Sequence, residues 1–338
     1  MSAGVSQENM TAGANGTLLI ITSSYDATVD FLLPFLPADR VFRFNTDLFQ
    51  QYELFFDAFG FTLTDPVGRS SNSRQICKAY WRWPDWPVAT GDEERYVQAE
   101  VRYLVQEMTN LLWYEGKFVL VEPGAPRRAG KLLQLIRARE FFNVPPFQAG
   151  LNVRYSSRDG LEVVKSLSKS FPGDKFIFST AVDPSHLVPD YPWFMQRYVE
   201  ATFDVTVVVV RNRLFAFKLA RDFLETSIDW RAIPNKENAW TPIELPEATR
   251  SAILRYMHEL RLHFGRLDFL MDASGELHFC EVNPNPQYAW LDFEGTCGLL
   301  SAVLDELSPA TERHAIPVAH PLAPVTGDRD RRPHQLIR

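Results

Sequence analysis

Two carboxylates and one amide in the C-terminal part of the chain have the types and spacing to hold a hard cation. Leu267-Asp-Phe-Leu-Met-Asp272 is followed by Ala273-Ser-Gly-Glu276 and then by Leu277-His-Phe-Cys-Glu-Val-Asn283. Two apolar runs flanking a short polar, Gly-containing loop read as a β-hairpin. With Ala273 to Glu276 as the loop, Asp272 pairs with Leu277, and the register places Asp268 directly opposite Glu281. Opposed residues share a face of the sheet, and Asn283, two residues further on, shares it too. Like charges facing one another repel unless a positive charge lies between them. Oxygen donors of this kind suit Mg2+, which takes one or two carboxylates and completes its shell with water and phosphate oxygens. The hairpin alone leaves a second reading open, in which Asp268 and Glu281 pair with Arg or Lys from a neighbouring element or face solvent. Pro284 and Pro286, flanking Asn285, stiffen the exit of the strand.

Two lysines could supply the complementary charge. Lys165 ends the apolar run Val163-Val164, and Lys131 follows Gly130 at the head of a helical pattern. Either alone reads as an ordinary solvated or snorkelling lysine. Beside an oxygen-rich metal site they form the electrostatic complement of a triphosphate. No Ser/His/Asp or Cys/His pattern stands out. Cys77, Cys280 and Cys297 are odd in number, far apart and without CxxC spacing, which argues against a disulfide framework or a zinc site.

These residues need elements to position them. Thr17–Thr22 reads as a buried strand running into a turn, with further strands at Val41–Asn45, Phe61–Thr64, Ala79–Arg82 and Val119–Val121. Val97, Val101, Leu104, Val105, Met108, Leu111 and Leu112 fall at helical spacing and predict one long helix over Glu93–Tyr114. Together they suggest a small α/β domain over residues 17–125. A helix over Lys131–Phe142 precedes Pro145-Pro146. Strands at Glu162–Lys165, Lys175–Ser179 and Met195–Val199 make a small central lobe, residues 126–198. A C-terminal lobe, residues 199–308, holds the hairpin Val205–Val210 and Leu214–Leu219, a helix over Thr249–Phe264, the metal hairpin and a closing helix over Gly298–Leu307. Residues 1–16 and 309–338 lack apolar periodicity and read as a loose N-terminus and a tail.

The 338 residues are 46% hydrophobic and 23% charged, a globular composition long enough for two or three packed units. A net charge of -7 argues against a general nucleic-acid binder. Met1–Gly16 does not have the form of a secretory signal, and no apolar stretch reaches membrane-spanning length. The expectation is a cytoplasmic protein with neither nucleic acid nor membrane as a partner.

Taken in order, the segments GKLLQLIRAREFFNVPPF, LEVVKSLSKS, MQRYVEATFDVTVVVVRNRLFAFKL, DWR and GRLDFLMDASGELHFCEVNPNPQYAWLD resemble the ATP-grasp superfamily. The likeness is greatest to the ligases that crosslink microviridin-type peptides (graspetides), with a more distant one to ligases that add glutamate to a ribosomal protein. DPVGR, AYWRWP and the long helix after them resemble that family's pre-ATP-grasp domain, so the likeness spans roughly residues 17–308.

The resemblance implies an α/β fold of ATP-grasp type with α+β lobes, and ATP and Mg2+ as cofactors. It assigns Asp268, Glu281 and Asn283 to magnesium, and Lys131 and Lys165 to the nucleotide. Gln196 to Val199, including Tyr198, become the hinge whose backbone pairs with adenine, with Glu200 or Asp204 reaching the ribose. Arg231, in Asp229-Trp230-Arg231, falls near the transferred phosphate. The partner implied is a precursor peptide with a leader segment, for which the irregular stretch Asp183-Pro-Ser-His186 and Val188-Pro-Asp190 is a candidate docking loop. Family members often dimerise, which leaves a homodimer open. Two departures stand out. Family members often read Asp-Leu-Arg where this chain has Asp204-Val205-Thr206, and Lys218 stands where an acidic or neutral residue is common. Lys218 is therefore a candidate replacement for the missing arginine. Trp290, just after the metal strand, is a candidate substrate wall. The expected activity is peptide macrocyclisation through an acyl phosphate, joining Asp or Glu to Ser, Thr or Lys. The competing readings are an intermolecular amino-acid ligase and a nucleotide-binding regulator that has lost catalysis.

Overall fold

The computed structural model describes residues 16–151, 161–167, 179–183, 187, 192–222, 228–232 and 239–314. Its first unit is built on β1 (Thr17–Thr22), the middle strand of a parallel sheet with β2 (Val41–Asn45) and β6 (Ile76–Trp81) in the order β2-β1-β6. TLLIIT is apolar on both sides because both faces of this strand are covered. Between β2 and β6 runs an antiparallel meander of β3 (Glu53–Asp57), β4 (Gly60–Thr64) and β5 (Ser70–Asn72). Helix α1 (Ala27–Leu32) is capped by the Asp26 carboxylate, which accepts from the amides of Thr28 and Val29. The long helix α2 (Asp92–Tyr114) buries Val105, Met108 and Leu112 against Leu19, Ile21, Phe42 and Phe44.

Two sequence expectations fail nearby. Val119–Val121 is not a strand: Phe118 makes a single parallel bridge to Ala79, and Leu120 turns to φ 58°. The helix expected to run to Phe142 stops earlier. After the short α3 (Ala125–Arg128) comes α4 (Lys131–Ala138), and Phe141 and Phe142 leave it to pack on Tyr256, with Phe142 stacked on Phe279 at 5.3 Å. Aromatic burial outweighs the helical pattern there.

The central lobe is an antiparallel sheet of β7 (Phe147–Ala149), β8 (Glu162–Lys165), β9 (Thr180–Val182) and β10 (Phe194–Arg197), in the order β7-β10-β8-β9. The candidate docking segments 184–186 and 188–190 and most of the expected strand 175–179 lie outside the described residues.

The C-terminal sheet positions the chemistry. Its order is β13-β12-β11-β14-β15, all antiparallel, from β11 (Ala201–Val210), β12 (Arg213–Ala220), β13 (Thr241–Ile243), β14 (Phe264–Asp272) and β15 (Leu277–Asn283). One face packs on α5 (Glu247–Glu259) through Leu267, Phe269, Phe279 and Val282, and α6 (Leu299–Leu307) closes the fold. Helix α5 ends at Glu259, short of the expected Phe264, because Arg261 turns to φ 52° and Phe264 opens β14. The Tyr256 hydroxyl donates to the Gln134 carbonyl at 2.8 Å and ties α5 to α4. Tyr256→Phe is expected to cost about 1 kcal/mol and lower Tm by roughly 2 °C in a thermal melt. Among the described residues no helix is long and apolar enough to cross a membrane.

Candidate metal and nucleotide site

The metal hairpin has the expected register at its centre and a different one at its tip. Asp268 pairs with Glu281, and Arg266 with Asn283. At the tip, however, Met271 pairs with Leu277, and Asp272 N–H donates to the Glu276 carbonyl at 3.1 Å. The two registers are reconciled by a bulge at Cys280, between the pairs Phe269–Phe279 and Asp268–Glu281. The bulge explains why Phe279 and Val282, three residues apart, are both buried on the helix-packed face. It turns Glu281 onto the other face, beside Asp268.

Strand alternation assigns the rest of that face. Asp204 and Thr206 on β11, Arg266 and Asp268 on β14, and Glu281 and Asn283 on β15 lie on it. Asp268 is held by three donors: Thr206 Oγ1 to Oδ1 at 2.7 Å, Arg266 Nε to Oδ1 at 3.1 Å and Arg266 Nη2 to Oδ2 at 3.0 Å. Asn283 Oδ1 accepts from the Asn285 amide at 3.1 Å, which fixes its orientation. The reading in which an arginine pairs with Asp268 is thus part of the arrangement, with the arginine two residues away on the same strand. Two carboxylates and an amide oxygen on one face, oriented by neighbours, fit a hard divalent cation.

Several basic groups gather near the two carboxylates. Lys131, heading α4, donates to the Ser166 carbonyl, and Lys165, ending β8, donates to Gln196 Oε1 at 2.9 Å. Burial lowers the pKa of Lys131, and the charges of Glu281, Lys165 and Arg231 also act on it. Arg231 grips Asp229 through two bonds of 2.8 and 2.6 Å, which raise its pKa, and the charges of Glu281 and Asp268 raise it further. Lys131, Lys165, Arg231 and the two carboxylates therefore come into one electrostatic neighbourhood from different elements. Lys165→Met is expected to weaken binding of a non-hydrolysable ATP analogue about 10- to 100-fold in calorimetry, the loss of one charge-assisted contact of roughly 1.5 to 3 kcal/mol. Unchanged affinity would make Lys165 an ordinary surface lysine.

Other expected residues are distributed unevenly. Gln196 is buried in β10, with its side chain turned to Lys165 and the Pro145 carbonyl. The Tyr198 amide donates to the Leu161 carbonyl at 3.0 Å, so this N–H of the expected hinge is engaged within the protein. Glu200 lines an open cavity of about 760 Å³ with Thr202, Arg221, Asp222, Asp272 and Ser274. Asp204 is instead committed to Arg221, whose Nη1 lies 2.8 Å from both its oxygens. Burial pushes the Asp204 pKa up to about 6 even against this arginine.

Lys218 does not do what its position suggests. It pairs with Val205, on the face opposite Thr206 and Asp268, and its ammonium lies 4.6 Å from the centre of the Phe203 ring. The period of the strand carries it away from the site, so it cannot replace an arginine at 206. Trp290 packs with Trp230 and Trp240 at 5.4 and 5.5 Å in a three-tryptophan cluster that adjoins Arg231.

Sequence reasoning missed four groups. Arg266 lies two residues before Asp268 on β14, within reach of strand alternation, whereas Arg221 lies just past β12 and only the pairing with β11 brings it to Asp204. Cys280 forms the bulge, and burial pushes its thiol up to about 11 among Lys165, Asp204, Asp268 and Glu281. Arg82, from β6's exit, donates to Asn285 Oδ1 and the Pro286 carbonyl, both at 2.7 Å. It thereby anchors the loop after Asn283, and no local signal announces so distant a contact.

The sequence matches no family model, and no curated protein matches it. Solved structures do. Macrocyclase MdnC from Microcystis aeruginosa MRC, bound with precursor peptide MdnA, superposes with a TM-score of 0.73 at 20% identity, over 86% of this chain and 99% of that one. A RiPP-associated ATP-grasp ligase from Chryseobacterium gregarium, in complex with ADP and a leader and core peptide, gives 0.73 at 22% identity over 86% and 96%. The D-alanine–D-alanine ligase of Bacillus anthracis complexed with ATP gives 0.51 at 12% identity over 86% and 95%. The expected ATP-grasp fold is therefore the fold of this chain.

Proposed function

We propose that this chain is an ATP-dependent ligase that activates side-chain carboxylates of a ribosomally made peptide and crosslinks them to Ser, Thr or Lys as esters or amides. The observation that carries the reading is the face holding Asp268, Glu281 and Asn283, with Lys131, Lys165 and Arg231 gathered beside it on an ATP-grasp fold. Asp268, Glu281 and Asn283 would hold Mg2+, which neutralises the polyphosphate when bound. Lys131 and Lys165 bind and orient the phosphates, Gln196 through Val199 and Glu200 bind the base and ribose, and Arg231 faces the transferred group. A substrate carboxylate oxygen bonds to the γ-phosphorus while the bond to the bridging oxygen breaks, and ADP leaves with the electron pair. The hydroxyl or amine then attacks the acyl carbon, loses its proton, and phosphate departs. Both reactants belong to the substrate, so the protein's contribution is positioning and charge.

The reading includes a pre-ATP-grasp domain over 17–125, a central lobe over 126–198 and a C-terminal lobe over 199–308, a leader-guided peptide and a cytoplasmic location, and it leaves a homodimer open. A leader bound away from the reacting residues lets one site serve several side-chain pairs, since remote binding energy positions the core. The test supplies peptides encoded next to this chain either whole or as separate leader and core, and follows water loss by mass spectrometry. Whole precursor is expected to react at least about tenfold faster than core alone, with added leader restoring much of the difference. Equal rates would favour an intermolecular amino-acid ligase, the reading for which the likeness to the D-alanine–D-alanine ligase speaks.

A further inference from the structure

Strand β15 is the edge of the five-stranded sheet, so its outward amides need partners from outside the sheet. Two of them find partners in and just after α4. Phe279 N–H donates to the Asn143 carbonyl at 2.8 Å, and Val282 N–H donates to Gln134 Oε1. On an unbroken antiparallel edge the outward amides fall on every second residue. Here they fall three apart, because the bulge at Cys280 lies between them. The register matters most for Glu281. Continued without a bulge from the pair Phe269–Phe279, the ladder would set Cys280 opposite Asp268 and Glu281 opposite Leu267, on the face packed against α5. It would also turn the Glu281 amide outward in place of the Val282 amide. A partner on the Val282 amide therefore favours the bulged register, the one that keeps Glu281 beside Asp268.

We propose that Gln134 is a positioning residue: from α4 it holds the bulge at Cys280, and with it Glu281 and Asn283, in place for the cation. The proposal rests on the metal assignment within the ligase reading above. The surroundings of Gln134 fix its side chain. It is buried, and its Nε2 donates to the Ala129 carbonyl at 3.1 Å, so a second bond aims Oε1 at the strand. Its own carbonyl accepts from the Tyr256 hydroxyl of α5. Val282, which it grips, lies between Glu281 and Asn283 and is itself buried, so water cannot replace the lost acceptor. Lys131 precedes Gln134 by one turn on the same side of α4. One short helix thus sets the lysine and the two β15 ligands relative to one another. Burial of Phe279 and Val282 on the apolar face favours the same register, so loss of the Gln134 bond loosens the bulge without unfolding the strand.

Wild type, Gln134→Met and Gln134→Glu test this. Methionine fills the space without a hydrogen bond, and glutamate keeps an oxygen acceptor within reach of the Val282 amide. Each protein is titrated calorimetrically with AMPPNP, with and without Mg2+, and melted thermally. Hydrogen exchange is read at single amides in the absence of metal and nucleotide. In Gln134→Met the Val282 amide is expected to exchange at least about tenfold faster, while Phe279, held by Asn143, changes less than about threefold. Mg-AMPPNP affinity is expected to fall about 10-fold or more, as it does when a group that orients metal ligands is lost. Mg2+-free affinity is expected to stay within about threefold of wild type. Gln134→Glu is expected to recover most of both effects. A glutamine that serves stability alone would lower Tm and leave the Mg2+-dependence of binding as in wild type. That result, equal losses with and without Mg2+, or a Gln134→Glu no better than Gln134→Met overturns the proposal. Should Gln134→Met melt below the assay temperature, Gln134→Asn, whose amide stops one methylene short of Val282, is read by the same criteria. None of these readouts needs a peptide. A wild type that binds AMPPNP in a Mg2+-dependent way but makes no ADP with any peptide overturns the ligase reading alone. A wild type indifferent to Mg2+ overturns the metal assignment and the proposal together.

Discussion

Glu281→Gln and Asn283→Ala are each expected to reduce ligation on the order of 1,000-fold, the equivalent of about 4 kcal/mol of lost transition-state stabilisation. The physical reason is the geometry of β15. Glu281 reaches the site face only because the bulge at Cys280 turns it there, opposite Asp268, and Asn283 follows on the same face with its Oδ1 oriented by the Asn285 amide. Removing one ligand, the Glu281 carboxylate or the Asn283 amide oxygen, weakens binding of the cation and leaves polyphosphate charge uncompensated. Neither change touches the apolar side of the strand, where Phe279 and Val282 are buried, so thermal melts are expected to match wild type. Two readouts decide it: Mg2+-dependence of AMPPNP binding, and turnover at saturating Mg2+. Near-normal turnover in a folded variant would remove these residues from the metal.

The second large effect lies far from that strand in sequence. Arg82 is fully buried, and its Nε lies 3.3 Å from Asp26 Oδ2 in an ion pair with no exposure on either side. The same guanidinium holds Asn285 and Pro286, just past the metal strand, while Trp83 Nε1 donates to the Asn285 carbonyl at 2.9 Å. Removing one partner of a buried pair leaves the other charge uncompensated and costs roughly 3 to 5 kcal/mol. Asp26→Asn is the cleaner probe, because asparagine keeps the cap on α1 as well as aspartate does. A drop in Tm of several degrees is expected, together with weaker Mg-AMPPNP binding, because the clamp sets where Asn283 leaves the sheet. A stable Asp26→Asn protein with unchanged affinity would make the clamp irrelevant to the site.

The parts of this site that depend on short-range periodicity were legible in the sequence. A four-residue loop and an unbroken ladder pair Asp268 with Glu281 from the sequence alone. The chain instead has a tighter tip register and a bulge at Cys280, and the two differences cancel at Asp268. Lys218 shows the converse. The turn at Arg211-Asn212 pairs Val210 with Arg213 and so puts Lys218 opposite Val205, off the site face, which strand counting alone would have given. Arg266, two residues before Asp268, was likewise within reach of the same rule. Strands β3 and β5 were not, since ELFFD is half exposed and Ser-Ser-Asn carries no strand signal of its own. The Arg82 clamp joins positions about two hundred residues apart, which no local pattern encodes.

The account stands or falls on whether ATP activates a carboxylate of the substrate. That is tested by presenting the wild-type protein and Mg-ATP with a peptide whose Asp and Glu side chains are labelled with 18O, and analysing the released phosphate by mass spectrometry. An acyl phosphate requires one labelled oxygen in phosphate for each crosslink formed, because the carboxylate oxygen that attacked phosphorus departs with it. Phosphate carrying no label, with both 18O atoms still in the peptide, would contradict the account.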